Sequence, residues 1–194
     1  MSLSRPKLVV GLGNPGEKYA RNWHNLGYMV LDILAERHKL KLNRIRFKGY
    51  SDNFNLGGQR VILLKPTCFM NNSGESVRAA LDFYALEPED VIVVYDDIDL
   101  DFGTIRIRGR GGAAHHNGMK SVIAHLGTEE FTRVKLGFGP QDRSRDIVAQ
   151  VLANIPKEQQ KACFEILLRA ADAVEMIIKD GLFAAQSKLN GPVK

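Results

Sequence analysis

KLVVGLGNPG, residues 7–16, changes character halfway along. Its first half is a short run of aliphatic and β-branched residues, the pattern of a strand buried on both faces; its second half is a glycine, asparagine and proline turn. The runs QRVILLK at 59–65 and VIVVY at 91–95 repeat the apolar pattern. Residues 50–56, 104–108 and 133–138 alternate more and read as strands nearer an edge. Between these runs lie stripes at helical spacing: Leu26, Met29, Val30, Ile33 and Leu34; Val77, Ala80, Leu81 and Tyr84; and Met119, Val122, Ile123 and Leu126, which stops at Gly127. A long final helix is predicted over 156–180, starting at Pro156 and carrying Phe164, Leu167, Leu168 and Ala171 on one face. Strands alternating with helices imply a single-domain, three-layer α/β/α sandwich around a twisted, mixed and mostly parallel sheet.

The chain has 194 residues, 44% hydrophobic and 25% charged, which is ordinary globular usage and excludes collagen-like, disordered and disulfide-scaffold classes. No repeat or low-complexity tract divides residues 1–194, so one domain is expected. Cys68 and Cys163 lie far apart and form no CxxC pair, which suggests neither a zinc cluster nor a redox motif. The apolar run near the start is too short for a signal-peptide core or a membrane span, so a cytoplasmic protein without a membrane partner is expected. Lys and Arg number 27 against 22 Asp and Glu, a net charge of +5. That excess hints at a polyanionic partner.

Ligands of open α/β sheets bind beyond the carboxyl ends of the strands. There this chain is unusually polar. Asn14 follows the first strand, Phe69-Met70-Asn71-Asn72 the third, and Asp96-Asp97 the fourth, while helix starts add Trp23-His24-Asn25 and His115-His116-Asn117-Gly118. A neutral His held by a carboxylate is a general base near physiological pH, and Asn amides can hold a carbonyl or a developing oxyanion. The set suits acyl transfer to water. Singly, each residue has a blander use, since His and Asn cap helices and Asn and Asp build turns; their shared placement is what points to a site. Gly11, Gly13 and Gly16 also spell G-x-G-x-x-G after a strand. A dinucleotide site is discounted, because Pro15 and non-periodic sequence precede the first helical stripe, and Asp32 and Glu36 fall within that helix. A thiol nucleophile at Cys68 has no local signature and a small buried residue is expected there.

Three blocks, GLGNPGEKYARNWHNLG (11–27), KPTCFMNNSG (65–74) and YDDIDLDFGTIRIRGRGGAAHHNGMKS (95–121), resemble the bacterial-type peptidyl-tRNA hydrolases. With weaker similarity between them, the likeness covers nearly the whole chain. It implies that family's fold and the hydrolysis, without metal or cofactor, of the ester joining a peptide to the 3′-terminal ribose of tRNA. By the same resemblance His24 is the base, Asp96 the carboxylate that supports its basic form, and Asn14 the residue that separates blocked from unblocked aminoacyl-tRNA. Tyr19, Phe69, Asn71 and Asn117 match positions that contact the tRNA end or the peptide, with Met70 and His116 lining the same cleft. Arg106 and Arg108 fall where the family carries basic residues for acceptor-stem phosphates, and Arg133 and Lys135 are expected to join them. The Gly- and Pro-bearing segment 137–152 either resembles the family's flap or is only a connection before the last helix. Asn22-Trp23, Cys68, Tyr95 and His115 depart from the common pattern, and the last leaves open which neighbouring imidazole faces the substrate. The expected partner is therefore peptidyl-tRNA, with no DNA, and the chain is expected to be a monomer. The rival reading is a non-catalytic RNA-binding module, which needs the arginines but no His and Asp pair. A second basic stretch, Lys39, Lys41, Arg44, Arg46 and Lys48, reads as a solvated face.

Overall fold

Residues 7–11 form a strand with an apolar neighbour on either side, and the rest of the sheet is laid out from there. The computed structural model describes residues 5–140, 142 and 144–193. In chain order the elements are β1 (Lys7–Gly11), α1 (Leu26–Arg37), β2 (Arg44–Arg46), β3 (Gly49–Leu56), β4 (Gln59–Pro66), α2 (Ser73–Tyr84), β5 (Val91–Asp101), β6 (Thr104–Arg108), α3 (Asn117–Leu126), β7 (Thr132–Gly139), α4 (Ile147–Val151), α5 (Gln160–Asp180), α6 (Leu182–Leu189) and β8 (Gly191–Pro192). One eight-stranded sheet runs β2-β3-β4-β1-β5-β7-β6-β8.

Consecutive residues of β1 enter opposite cores, which is why its sequence is apolar without alternation. Leu8 and Val10 pack with Ile62, Leu64, Val77, Leu81, Met119 and Val122, under α2 and α3. Val9 packs with Leu63, Val94, Val30, Leu34, Leu167 and Val174, under α1 and α5. Helices thus cover both faces, as the α/β/α reading expects. The sheet is mixed, as expected: β4-β1-β5-β7 is a parallel centre, while the β2-β3, β3-β4, β6-β7 and β6-β8 pairs are antiparallel.

Several boundaries differ from the sequence reading, each for a local reason. β7 is an inner strand between β5 and β6, not a near-edge one; its alternation came from Arg133 and Lys135, two cations that face inward. β5 reaches Asp101 instead of ending at Tyr95. The long helix starts at Gln160 after a 3-10 turn over Lys157–Gln159. Its buried stripe is Cys163, Ile166, Leu167, Ala170, Ala171 and Val174, with Phe164 left exposed. Gly181, at φ 89°, ends it, and α6 and β8 follow where no further element was expected. β2 occupies part of the basic stretch.

One close backbone approach sets the geometry of the site. A Cβ on Gly27 would lie 2.3 Å from the Val94 carbonyl oxygen, and one on Gly11 2.3 Å from the Gly27 carbonyl oxygen. Only glycine allows α1 to start this close to the end of β1. The Tyr28 ring rests on Gly13 in the same way, so these glycines serve helix-to-strand packing rather than a phosphate. Among the described residues, no helix is long and apolar enough to cross a membrane.

Candidate active site

β1 and β5 pair as far as Gly11 and Val94. β5 continues alone on that side, so Asp96 projects past the end of its neighbour into a gap that the β1-to-α1 connection fills. Two short turns of that connection carry the chain into α1, and the second, Trp23–Asn25, sets His24 over the gap. His24 Nδ1 lies 2.9 Å from Asp96 Oδ2 and 3.1 Å from Oδ1. His24 Nε2 has no hydrogen-bond partner among the described residues. A carboxylate accepts, so Nδ1 carries the proton and Nε2 keeps its lone pair.

The electrostatics follow from burial and charge. Burial disfavours the His24 imidazolium, but the Asp96 carboxylate outweighs it and raises the His24 pKa above its ordinary value. Asp96 is itself buried, which opposes its charge; favourable electrostatics from His24 and the hydrogen bonds of His24 and His116 hold it well below the usual carboxylate range. His116 Nε2 is 3.0 Å from Asp96 Oδ1. Burial lowers the His116 pKa despite that carboxylate.

Asn14 is fixed from three directions. Its backbone N–H donates to Asn25 Oδ1 at 2.9 Å, its carbonyl accepts from Asn25 Nδ2 at 3.0 Å, and its side-chain Oδ1 accepts from the Met70 N–H at 2.8 Å. The Asn14 amide therefore offers its NH2 to the cleft and not its oxygen. Asn25, placed beside His24 in the sequence but assigned no task there, is the residue that locks this loop. Its signal was a second polar side chain, next to His24, in a three-residue turn.

A cleft of about 260 Å³ is lined by Asn14, His24, Phe69, Met70, Asn71, Asn117, Val148, Val151 and Leu152. A smaller recess of about 60 Å³ adjoins it, sharing His24, Asn117, Val148 and Val151 and reaching Asp96, His115 and His116. Most of the residues singled out in the sequence thus converge. Phe69 is exposed and held at φ 59°, a left-handed conformation that a bulky residue rarely adopts. Met70 is buried beneath it against Gly118. Asn71 and Asn117 are exposed at the rim. His115 is exposed and His116 buried, which settles the different situations of the two imidazoles.

Other positions depart from expectation. Tyr19 is half-buried and lines neither recess; its ring lies under the Lys18 ammonium at 4.7 Å. Arg133 is fully buried, with its guanidinium 4.4 Å from the centre of the Phe131 ring and bonded to the Glu129 carbonyl, so it is not placed to meet a phosphate. Lys135 is engaged by Asp97 at 3.0 Å. Arg106 and Arg108 are exposed on β6. Cys68 is half-buried, its thiol donating to the Asn72 carbonyl. The sequence departures at 22 and 23 are used in packing: Asn22 bonds Asn154, and Trp23 stacks on Phe138 with ring centres 5.2 Å apart. These contacts tie the end of β7 and the segment after it to the His24 turn, and α4 from that segment sets Val148 and Val151 against the cleft. Residues 141 and 143 of the expected flap lie outside the described residues.

The family model described as peptidyl-tRNA hydrolase matches residues 8–194. The chain belongs to the peptidyl-tRNA hydrolase family. Curated relatives in that family include the peptidyl-tRNA hydrolase of Clostridium novyi (strain NT), 44% identical over 95% of this chain and 97% of that protein. That of Synechococcus sp. (strain JA-3-3Ab) is 50% identical over 95% of this chain and 82% of its own. The crystal structure of peptidyl-tRNA hydrolase from Acinetobacter baumannii superposes with a TM-score of 0.90 at 31% identity, covering 100% of this chain and 98% of that one. In this family member the side chains His24, Asp96 and His116 form a donor set of metal-site dimensions. They do not suit an ion as arranged, because His116 Nδ1 already accepts the Met119 N–H at 3.2 Å; metal at Nε2 would require a proton on Nδ1, facing that N–H.

Proposed function

We propose that the chain hydrolyses the ester between the peptide, or an N-blocked amino acid, and the 3′-terminal ribose of tRNA, with His24 as general base. The observation that carries this reading is the single unpartnered His24 nitrogen, held by a buried carboxylate at the wall of a cleft rich in Asn amides. Nε2 takes a proton from a water, the hydroxide adds to the ester carbonyl, and the tetrahedral intermediate collapses. The imidazolium then returns its proton to the departing ribose oxygen, leaving a peptide carboxylic acid and free tRNA. Asp96 stays ionised and stabilises the transient imidazolium. The Asn71 and Asn117 amides are the available donors for the carbonyl and the tRNA end, with Phe69 as a stacking surface for the terminal base. Val148, Val151 and Leu152 give the peptide side an apolar wall.

Selectivity follows from how the Asn14 amide is held. With Oδ1 occupied by Met70, its NH2 can pair with the acyl carbonyl of a blocked amino acid. A free α-ammonium brings donors to a donor and finds no acceptor there. Arg106 and Arg108 would take acceptor-stem phosphates without reading sequence. Every side chain invoked comes from one chain, so a monomer suffices, and a tRNA substrate is compatible with a cytoplasmic location.

The test pairs N-acetylaminoacyl-tRNA with free aminoacyl-tRNA, using wild type and His24→Ala. Release of tRNA from the blocked substrate alone, lost by about a hundredfold or more in the variant, is expected. Equal cleavage of both substrates, or full activity of His24→Ala, overturns the reading.

A further inference from the structure

We infer that His116 is a positioning residue for Asp96: it donates its Nε2 proton to one carboxylate oxygen and thereby presents the other to His24. This rests on His24 acting as the base. The resemblance placed His116 among the cleft-lining residues, but both of its ring nitrogens are committed inside the protein. Nδ1 caps α3 by accepting the Met119 N–H at 3.2 Å. A nitrogen that accepts carries no proton, so the proton is on Nε2, 3.0 Å from Asp96 Oδ1. Neither nitrogen is left for substrate.

The arrangement makes His116 a donor of fixed tautomer. Protonating Nδ1 would set a ring N–H against the backbone N–H of Met119 and place a second cation in a buried pocket. The groups facing this imidazole are Asp96, the His24 and Tyr95 rings with centres at 4.6 and 5.0 Å, and the Asp97 carboxylate nearby. A carboxylate fastened at one oxygen cannot swing away from His24. Part of its charge is also spent on a neutral donor, which limits how far it raises the basicity of His24. The cap thus couples the start of α3, whose next residue is Asn117 at the cleft rim, to the orientation of the base.

Two variants separate the cap from the carboxylate contact. His116→Asn keeps a good helix cap but is too short to reach Asp96, whereas His116→Gln puts an amide nitrogen near the position of Nε2. Steady-state kinetics on N-acetylaminoacyl-tRNA over a range of pH, with thermal unfolding of each variant, is the measurement. We expect folded His116→Asn to lose kcat by about tenfold with KM little changed, and its acid limb to move to higher pH as Asp96 acts on His24 alone. His116→Gln should recover most of kcat. Wild-type kcat and pH profile in His116→Asn, a loss carried by KM, or no recovery by a folded His116→Gln would each overturn the inference. Inactive His24→Ala alongside such a result keeps the hydrolysis reading and rejects only this one. Nitrogen-15 NMR of histidine-labelled wild-type protein tests it without variants: His116 should stay in the Nε2–H form while His24 titrates, and a His116 that titrates with it would sink the idea.

Discussion

At the residue scale, His24 has one nitrogen paired with a carboxylate and one left free, and its raised pKa sets the sign of the pH dependence. Activity should be full above that pKa and fall as pH drops through it, because the base becomes protonated. Asp96→Asn removes the charge that raises the pKa while burial, which lowers it, remains. The acid limb of kcat against pH should therefore move to lower pH, with plateau kcat down by about a hundredfold or more; an unmoved limb would contradict the charge argument. Asn14→Asp keeps an oxygen for the Met70 N–H and turns the cleft-facing group from donor to acceptor. The ratio of blocked to unblocked substrate cleaved should fall by about tenfold or more, measured as kcat/KM on the two tRNAs. The residue types at this site were readable from sequence, because a His, a carboxylate and several Asn residues followed apolar strands. Asn25 and His116 were not given their tasks, because both act through other side chains across turns, and hydrogen-bond direction has no sequence signature.

Elements position these groups through packing that tolerates little change. Gly27→Ala would drive a methyl group into the Val94 carbonyl at 2.3 Å. We expect it to cost about 1–3 kcal/mol or more, read from thermal unfolding, and to lower kcat because the His24 turn is pushed from Asp96. A variant as stable and active as wild type would mean that α1 can slide freely. The apolar runs of β1, β4 and β5 and the stripes of α1, α2 and α3 were legible, since each buries a continuous or periodic set of side chains. β7 misled because Arg133 and Lys135 imitate an exposed face; one lies over Phe131 and the other pairs with Asp97. The face of α5 was misjudged at Phe164, because periodicity alone did not say which side of an apolar stripe the sheet would cover.

For the whole molecule, charge matters by location. A net charge of +5 is modest, yet Arg106 and Arg108 stand exposed on β6, while Arg133 and Lys135 are withdrawn into the structure. Arg108→Ala should weaken tRNA binding and flatten the slope of log affinity against log salt by about one unit, and Arg133→Ala should show its effect mainly as lost thermal stability. An unchanged slope in the first variant would remove β6 from the binding surface. Composition, apolar periodicity and the ordered blocks were enough to establish an α/β chain with peptidyl-tRNA hydrolase motifs, because burial and turn formation act on neighbours along the chain. Which cations face solvent, which way the Asn14 amide points and which imidazole shares Asp96 depended on the folded arrangement. Those properties arise where residues distant in sequence meet in a water-poor interior and compete for the same donors and acceptors.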